Sequence, residues 1–434
     1  MIFCSNISKV IKHNEDRERD CRVRQFFQKI WSWELLPVLP LVVLSLYRTL
    51  SHPVWLVMSG RGLPRSQDSD WYLNYAQGLL TNFSIQMNID EILYLGYNLL
   101  LAGLLALFRD PAAIVYAQAL VASLAIILVY QIGRILFNKR TGVIAGLFYL
   151  YNWDVTLWST YVLSDSLFVS LLILCVYLLI KAVDSRQKTD IALFAVAAVY
   201  MLFFRPTGVV VAAVMLLHIL VQLGRNRLQR FWLRYRRVLS GAAAVIVLLL
   251  AAGYVGHLFD GFIESLQYNV KLVIYNVYAK GQIYDIPTAY DYFFRPDYSI
   301  DKLNSLSLSF IINNWDSVSV LYARRTVAFL GVWAWMTPLR TAADYLFYLY
   351  KLLPAVLFAA GTVAAIRAGT FGRAAVLWGI TLAVFAFCIL LFIDAMYRYR
   401  FPAMPFIGII AAYGLDRMIN GGRILAAKTW SRTA

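Results

Sequence analysis

Residues 163–182 read LSDSLFVSLLILCVYLLIKA. Apart from Asp165 near one end and Lys181 near the other, nothing in this stretch carries a charge. The apolar residues do not alternate, and they cover every side of a helix rather than one stripe, the pattern of a helix surrounded by apolar material. About twenty residues at 1.5 Å each reach about 30 Å, the thickness of a bilayer's hydrocarbon core. The stretch reads as a transmembrane helix with its charges at the two edges.

The same pattern recurs on both sides of it. Apolar segments lie at 35–57, 93–108, 112–136, 141–157, 189–204, 206–223, 238–257, 345–366, 374–393 and 401–418. The whole chain of 434 residues is 61% hydrophobic and only 15% charged, whereas a soluble domain carries about 25% charged residues. Its mean hydropathy is +0.63. A soluble enzyme is excluded, and so is a transmembrane barrel, whose strands alternate. There is no internal repeat of the kind that builds many transporters. The fold class expected is an all-α polytopic membrane protein.

The net charge of +16 is the signature of topology rather than of a nucleic-acid partner, because Lys and Arg gather on the cytoplasmic side of a membrane protein. Cys4 and Cys21 lie in a basic N-terminal tail, and Cys175 and Cys388 lie in apolar segments. Neither a disulfide framework nor a zinc site is implied. A charged tail precedes the first apolar segment and no small-residue cleavage site follows it, so that segment reads as a signal anchor.

Charge also sets the direction of the segments. The N-terminal tail, Lys139/Arg140, Lys181/Arg186/Lys188, the tract Arg225 to Arg237, Arg367/Arg373 and the C-terminal Arg417 to Arg432 all ask for the cytoplasm. All are satisfied together if 93–108 does not cross. That segment is shorter than the usual crossing length, holds two glycines and ends on Arg109-Asp110, so it is expected to lie in the outer interface. About ten spans with both ends inside result. The expected organisation is a cytoplasmic tail over 1–34, a transmembrane module over 35–257 with an outer first loop at 58–110, an outer Tyr-rich loop at 258–344, C-terminal helices over 345–418 and a cytoplasmic tail over 419–434. The expected location is the plasma membrane of a bacterium.

This topology places several ionisable residues at one depth on the outer side. Asp68 and Asp70 open the stretch DSDWYLNYAQGLL (68–80), which reads as a short helix, and Asp165 opens 163–182. Arg205 precedes Pro206 at an outer turn, and Asp394, Arg398 and Arg400 precede the last span. Each has an ordinary structural role open to it. Asp68 and Asp165 could be helix N-caps, Arg205 could snorkel to headgroups, and the tyrosines of 258–344 could form an interfacial belt. Taken together they outline a pocket of carboxylates and guanidinium groups. A carboxylate serves as a general base for a hydroxyl, and an arginine fork holds two phosphate oxygens. A membrane protein that needs both fits a lipid-phosphate substrate.

Four stretches resemble the GT-C glycosyltransferases that use polyprenyl-phosphate sugars, the group of the protein O-mannosyltransferases and the lipid A aminoarabinose transferase. They are DSDWYLNYAQGLL (68–80), LVYQIGRILFNKRTGVIAGLFYLYN (128–152), YVLSDSLFVSLL (161–172) with FFRPTG (203–208), and RYRFPAMPFIGIIAAYGL (398–415). The resemblance covers about residues 30–260 and 390–418. It implies a GT-C-like helical bundle with outer-face interfacial helices and loops. It puts Asp68 at the catalytic centre, with Tyr72 and Ala76 in step, and the second acidic position on Asp165. One feature departs: where many relatives have a basic or Pro-Pro element at the start of the outer helix, this chain has Glu91-Ile-Leu-Tyr-Leu-Gly-Tyr97. The residues left to grip a donor phosphate are Arg61, Arg65, Arg205, Arg398 and Arg400, with Asp70, Tyr72 and Tyr399 beside them.

The activity implied is inverting transfer of a sugar from a polyprenyl-phosphate donor to a hydroxyl on a glycan, glycolipid or protein. Asp68 would be the base, Asp165 would hold acceptor or sugar, and no cofactor or metal is needed. Two rival readings are a lipid-linked sugar flippase and a non-catalytic subunit of a glycan-assembly complex. A flippase puts charges at mid-depth on several spans, whereas here they sit at span ends, His218 excepted.

Overall fold

The computed structural model describes residues 37–83, 85, 89–283, 287, 288, 291–331, 339–390 and 396–433. Cys4, Cys21, Asp394, Tyr284, Asp285 and Tyr290 lie outside the described residues, as does the expected tail over 1–34. Among the described residues there are helices and turns and no strand.

The helices in chain order are α1 (Val38–Met58), α2 (Gln67–Thr81), α3 (Ile89–Leu93), α4 (Leu95–Phe108), α5 (Pro111–Leu136), α6 (Lys139–Tyr151), α7 (Trp153–Ser159), α8 (Ser164–Ser185) and α9 (Lys188–Leu202). They continue with α10 (Pro206–Leu223), α11 (Arg225–Val255), α12 (Asp260–Leu272), α13 (Leu306–Asn313), α14 (Trp315–Gly331), α15 (Ala342–Arg367), α16 (Phe371–Leu390), α17 (Met396–Arg400) and α18 (Met404–Thr433).

Among the described residues, seven helical stretches are long and apolar enough to cross a membrane: Val38–Met58, Pro111–Leu136, Ser164–Ser185, Pro206–Leu223, Trp232–Val255, Ala342–Arg367 and Phe371–Leu390. The chain is an all-α polytopic membrane protein. Length and composition thus carry seven of the ten spans expected. Helix α9 is shorter, and α18 turns polar from Asp416 onward. The segment 141–157 does not form one helix. The chain breaks at Asn152, which leaves helical geometry with φ −68° and ψ 113° and accepts from the backbone N of Asp154 at 3.0 Å to start α7. An asparagine that caps a new helix competes with continuing the old one.

Helix α5 is the centre of the bundle, packed against α1, α6 and α8, while α15 and α18 pair on one flank and α10 and α16 on another. Where backbones approach most closely, glycine is required. A Cβ on Gly361 of α15 would overlap the carbonyl oxygen of Ile410 on α18, and one on Gly414 of α18 would overlap that of Leu357 on α15. Small residues at such crossings let helices touch in a setting where burial of apolar surface drives little association.

The stretch 258–344 is not a structureless loop. Its described residues form α12, a π turn at Val273–Tyr278, α13 and α14. Tyr278 ends the π turn with its hydroxyl donating to the carbonyl of Leu390 at 2.8 Å, which ties this region to the end of α16. Arg325 of α14 is fully buried and donates to the carbonyls of Gln282 at 2.8 Å and Ile389 at 3.2 Å. Both contacts fix the region to the end of α16 that precedes α17.

Candidate functional site

Helix α2 begins at Ser66. Its hydroxyl accepts from the backbone N of Ser69 at 3.2 Å, and the Ser69 hydroxyl accepts from the backbone N of Ser66 at 3.3 Å, a reciprocal cap. Capping is therefore done by serine, and Asp68 is free of that task. Ser69, Tyr72, Ala76 and Leu79 form the buried stripe at helical spacing. Asp68 stands four residues before Tyr72, on the same edge of the helix.

The turn between α9 and α10 carries Arg205. The residue before a proline is pushed to extended geometry, and Arg205 has φ −169° and ψ 149°. Pro206 then opens α10, where its missing N–H is no loss. The tight return is closed by Gly208, whose backbone N donates to the Arg205 carbonyl at 2.8 Å, and a Cβ there would overlap the carbonyl oxygen of Met201. Arg205 is 1% exposed.

Asp165 lies in the first turn of α8 and is also 1% exposed. A buried carboxylate survives only when paired, and this one accepts from two arginines. Its Oδ1 accepts from Arg205 Nη1. Its Oδ2 accepts from Arg398 Nε at 3.0 Å, with Arg398 Nη2 also at 3.0 Å. The third nitrogen of Arg398, Nη1, donates to Asp68 Oδ2 at 2.6 Å. The four groups form an alternating chain, Asp68–Arg398–Asp165–Arg205, drawn from four separate parts of the sequence. Tyr399 lies beside it, with the Arg205 guanidinium 4.8 Å from the ring centre and that of Arg398 5.8 Å away. Burial pulls both guanidinium groups down, but Asp165 beside them prevails and holds each above its ordinary value. Burial pushes the Tyr72 phenol well up, against the pull of Arg205, and its hydroxyl is within 3.2 Å of Ser164 Oγ.

Only the two ends of this chain open on a cavity of about 650 Å³, bordered by Asp68 and Arg205 and not by Asp165 or Arg398. The Asp68 side chain is half exposed, and among the described residues only its Oδ2 is paired. Arg205 keeps two buried donors, Nε and Nη2, without a partner among the described residues. Buried guanidinium donors without acceptors are costly, so an anion beside Arg205 would complete an unfinished set. The rest of the wall is mainly apolar and aromatic, including Trp71, Tyr94, Val270, Phe387 and Tyr399.

The other expected residues are dispersed. Tyr72 and Tyr399 border the cavity. Asp70 is exposed and does not border the cavity, and Arg65 is exposed at the helix approach. Arg61 is exposed with its guanidinium over Trp55. Arg400 is buried and donates to the carbonyl of Phe329 at 2.6 Å. Successive helix positions differ by about 100°, so Arg398 and Arg400 face different ways. Asn269, Ser307 and Asp90 also border the cavity, and no pattern in the sequence singles out the first two. Among the described residues no group of three His, Cys, Asp or Glu could hold a metal, and Cys175 and Cys388 are free and buried.

Residues 82–255 match the sequence profile of the dolichyl-phosphate-mannose-protein mannosyltransferase family. That match bears out the GT-C resemblance. The matched stretch runs from just after α2 to the end of α11 and holds Asp165 and Arg205, while Asp68 and Arg398 lie beyond its two ends. It supports a glycosyltransferase of the GT-C family. No curated protein matches the chain.

Proposed function

We propose that the protein is an inverting glycosyltransferase of the membrane's outer face, taking its sugar from a polyprenyl-phosphate donor and passing it to a hydroxyl on a glycan, glycolipid or protein. The observation that carries this is the pairing at one cavity of a half-exposed carboxylate, Asp68, with a buried guanidinium, Arg205, that has two donors to spare.

In this reading the donor phosphodiester lies against Arg205, and its prenyl chain runs along the apolar wall that leads to the bilayer. The acceptor hydroxyl approaches the anomeric carbon from the opposite side. As the new carbon–oxygen bond forms, the hydroxyl proton passes to Asp68 and the anomeric carbon–phosphate oxygen bond breaks. The phosphate leaves as a monoester with one more negative charge, which Arg205 stabilises. Stabilising charge where it develops is commonly the largest contribution to such a rate. Base assistance adds about 10²–10⁴-fold. Tyr72 stays protonated, because burial raises its phenol, and it serves as a donor rather than a base. No metal enters the scheme.

The test is transfer by the purified full-length protein in nanodiscs, with radiolabelled polyprenyl-phosphate hexoses and pentoses and a membrane glycan extract as acceptor. Release of polyprenyl phosphate with label in a new glycosidic bond supports the reading. Movement of intact labelled lipid across proteoliposomes with no new bond would overturn it in favour of a flippase.

A further inference from the structure

The two inner members of the charge chain never reach the cavity, yet each touches both of its neighbours. Arg398 donates to Asp68 on one side and to Asp165 on the other. Asp165 accepts from Arg398 and from Arg205. The Asp165 side chain is fully buried and that of Arg398 is 12% exposed, so water screens little between them. Two residues that only had to support a helix end would not have their ionic groups shared in this way.

The geometry points to Arg398 and Asp165 as positioning residues that couple the base to the phosphate grip. This rests on the function proposed above and adds how its two halves communicate. Arg398 divides its fork between two carboxylates, and Asp165 divides its oxygens between two guanidinium groups. When Asp68 gains the acceptor's proton, it loses its charge and its claim on Arg398. Arg398 then neutralises Asp165 more completely, and Arg205 is released from Asp165 toward the phosphate. The proton arrives at Asp68 in the same step in which the phosphate gains its extra negative charge. The relay therefore strengthens the phosphate grip when the leaving group needs it. The balance is closed: the proton lost by the acceptor is the one held on Asp68, and the electron pair of the broken bond stays on the phosphate. Read backwards, an anion on Arg205 draws that guanidinium from Asp165, and Arg398 shifts toward Asp165 and away from Asp68. The carboxylate is left more basic once donor is bound.

The relay makes a claim about a residue outside the cavity. Farnesyl phosphate serves as the probe of the phosphate site, titrated into the full-length protein in nanodiscs. Asp68→Asn imitates the protonated base and should tighten farnesyl phosphate binding by about fivefold or more, the ordinary size of a coupling between sites. The same substitution also removes a negative charge near the ligand, so the single variant does not discriminate. The double-mutant cycle does. With Arg398→Gln in the background the relay is cut, and the gain from Asp68→Asn should fall to less than about twofold. Arg398→Lys, which keeps the charge while losing the fork, should recover part of the coupling and guards against a variant that folds poorly. It should also restore kcat more than it restores KM. A gain from Asp68→Asn that persists undiminished with Arg398→Gln overturns the relay and leaves the transfer reading in place. Failure of the unaltered protein to bind farnesyl phosphate at all overturns the phosphate grip and the relay with it.

Discussion

Arg398 Nη1 lies 2.6 Å from Asp68 Oδ2, joining residues that stand 330 positions apart in the chain. The pair brings the start of α2 and the last short helix, α17, to one point, so the cavity is assembled only when the whole chain is folded. It also means that Asp68 is held in place by a charge rather than by its own helix cap, which Ser66 supplies.

Asp68→Asn should lower kcat by about 10²–10⁴-fold, the usual share of a general base. Donor KM should not rise, since the carboxylate does not hold the phosphate in this scheme. Asp70→Asn is the control. Asp70 lies two residues on, is exposed and does not border the cavity, and the variant should transfer at close to the unaltered rate. Initial rates at saturating acceptor with varied donor separate the two outcomes, and equal losses in both variants would remove Asp68 from the role of base.

Arg205→Gln breaks a buried ion pair and leaves Asp165 with one guanidinium. Losing one partner of such a pair costs about 3–5 kcal/mol, so the variant should unfold at clearly lower temperature in detergent and bind donor poorly. Arg205→Lys keeps the charge but not the planar fork. It should recover much of the stability and little of the donor affinity. The contrast between thermal unfolding and donor KM is the measurement. A lysine variant with normal KM would show that the fork is not what grips the phosphate.

The pH response follows from the two arginines. Both guanidinium groups have raised proton affinity in the folded protein because Asp165 stabilises their charged forms against burial. The stability they contribute is complete below the ordinary arginine value. It is lost only as pH rises through the still higher folded values. The phosphodiester of the donor keeps one negative charge over the same range. Affinity for the donor should therefore be flat between about pH 6 and pH 10. A fall in affinity across that interval, measured by titration with an uncleaved prenyl phosphodiester, would mean that some other cation holds the phosphate.

Much of the fold is legible in the sequence because a lipid environment leaves few alternatives to helices. The apolar runs 112–136 and 206–223 reappear almost unchanged as α5 and α10. What escaped was local. Asn152 divides 141–157 into two helices by capping the second one, and a window of hydropathy averages over a single polar residue. The stretch 258–344 lacks long apolar runs, yet it folds into helices held by buried contacts such as Arg325 to the Gln282 carbonyl.

The site was legible in its members more than in its wiring. Asp165, Arg205 and Arg398 stand out as ionisable residues at the ends of apolar segments, where such groups are costly, and Asp68 stands out at the start of the short helix in the first outer loop. Their order in the charge chain is not written anywhere in one dimension. Arg398 and Arg400 look alike in the sequence, and only the rotation of α17 sends one to the acids and the other to the Phe329 carbonyl. Asn269 and Ser307 border the cavity from helices that carry no motif.

Two glycines separate the stability of the bundle from the shape of the site. Gly361 and Gly208 both lie where a Cβ would overlap a backbone carbonyl oxygen, that of Ile410 for Gly361 and that of Met201 for Gly208. Backbone cannot swing aside as a side chain can, so alanine at either position forces a shift costing about 1–3 kcal/mol. The consequences should differ. Gly361→Ala moves α15 against α18 at Ile410, which is not a member of the charge network, and should lower the unfolding temperature while leaving the transfer rate per folded molecule within about twofold. Gly208→Ala displaces the turn whose backbone N caps Arg205 at 2.8 Å. A misplacement of about 1 Å at a reacting group can cost about 10²-fold in rate, so this variant should lose activity well beyond its loss of stability. Thermal unfolding and transfer rate measured on the same preparations decide the matter. If both glycine variants lose rate only in proportion to the folded fraction, the position of Arg205 is not critical to the chemistry.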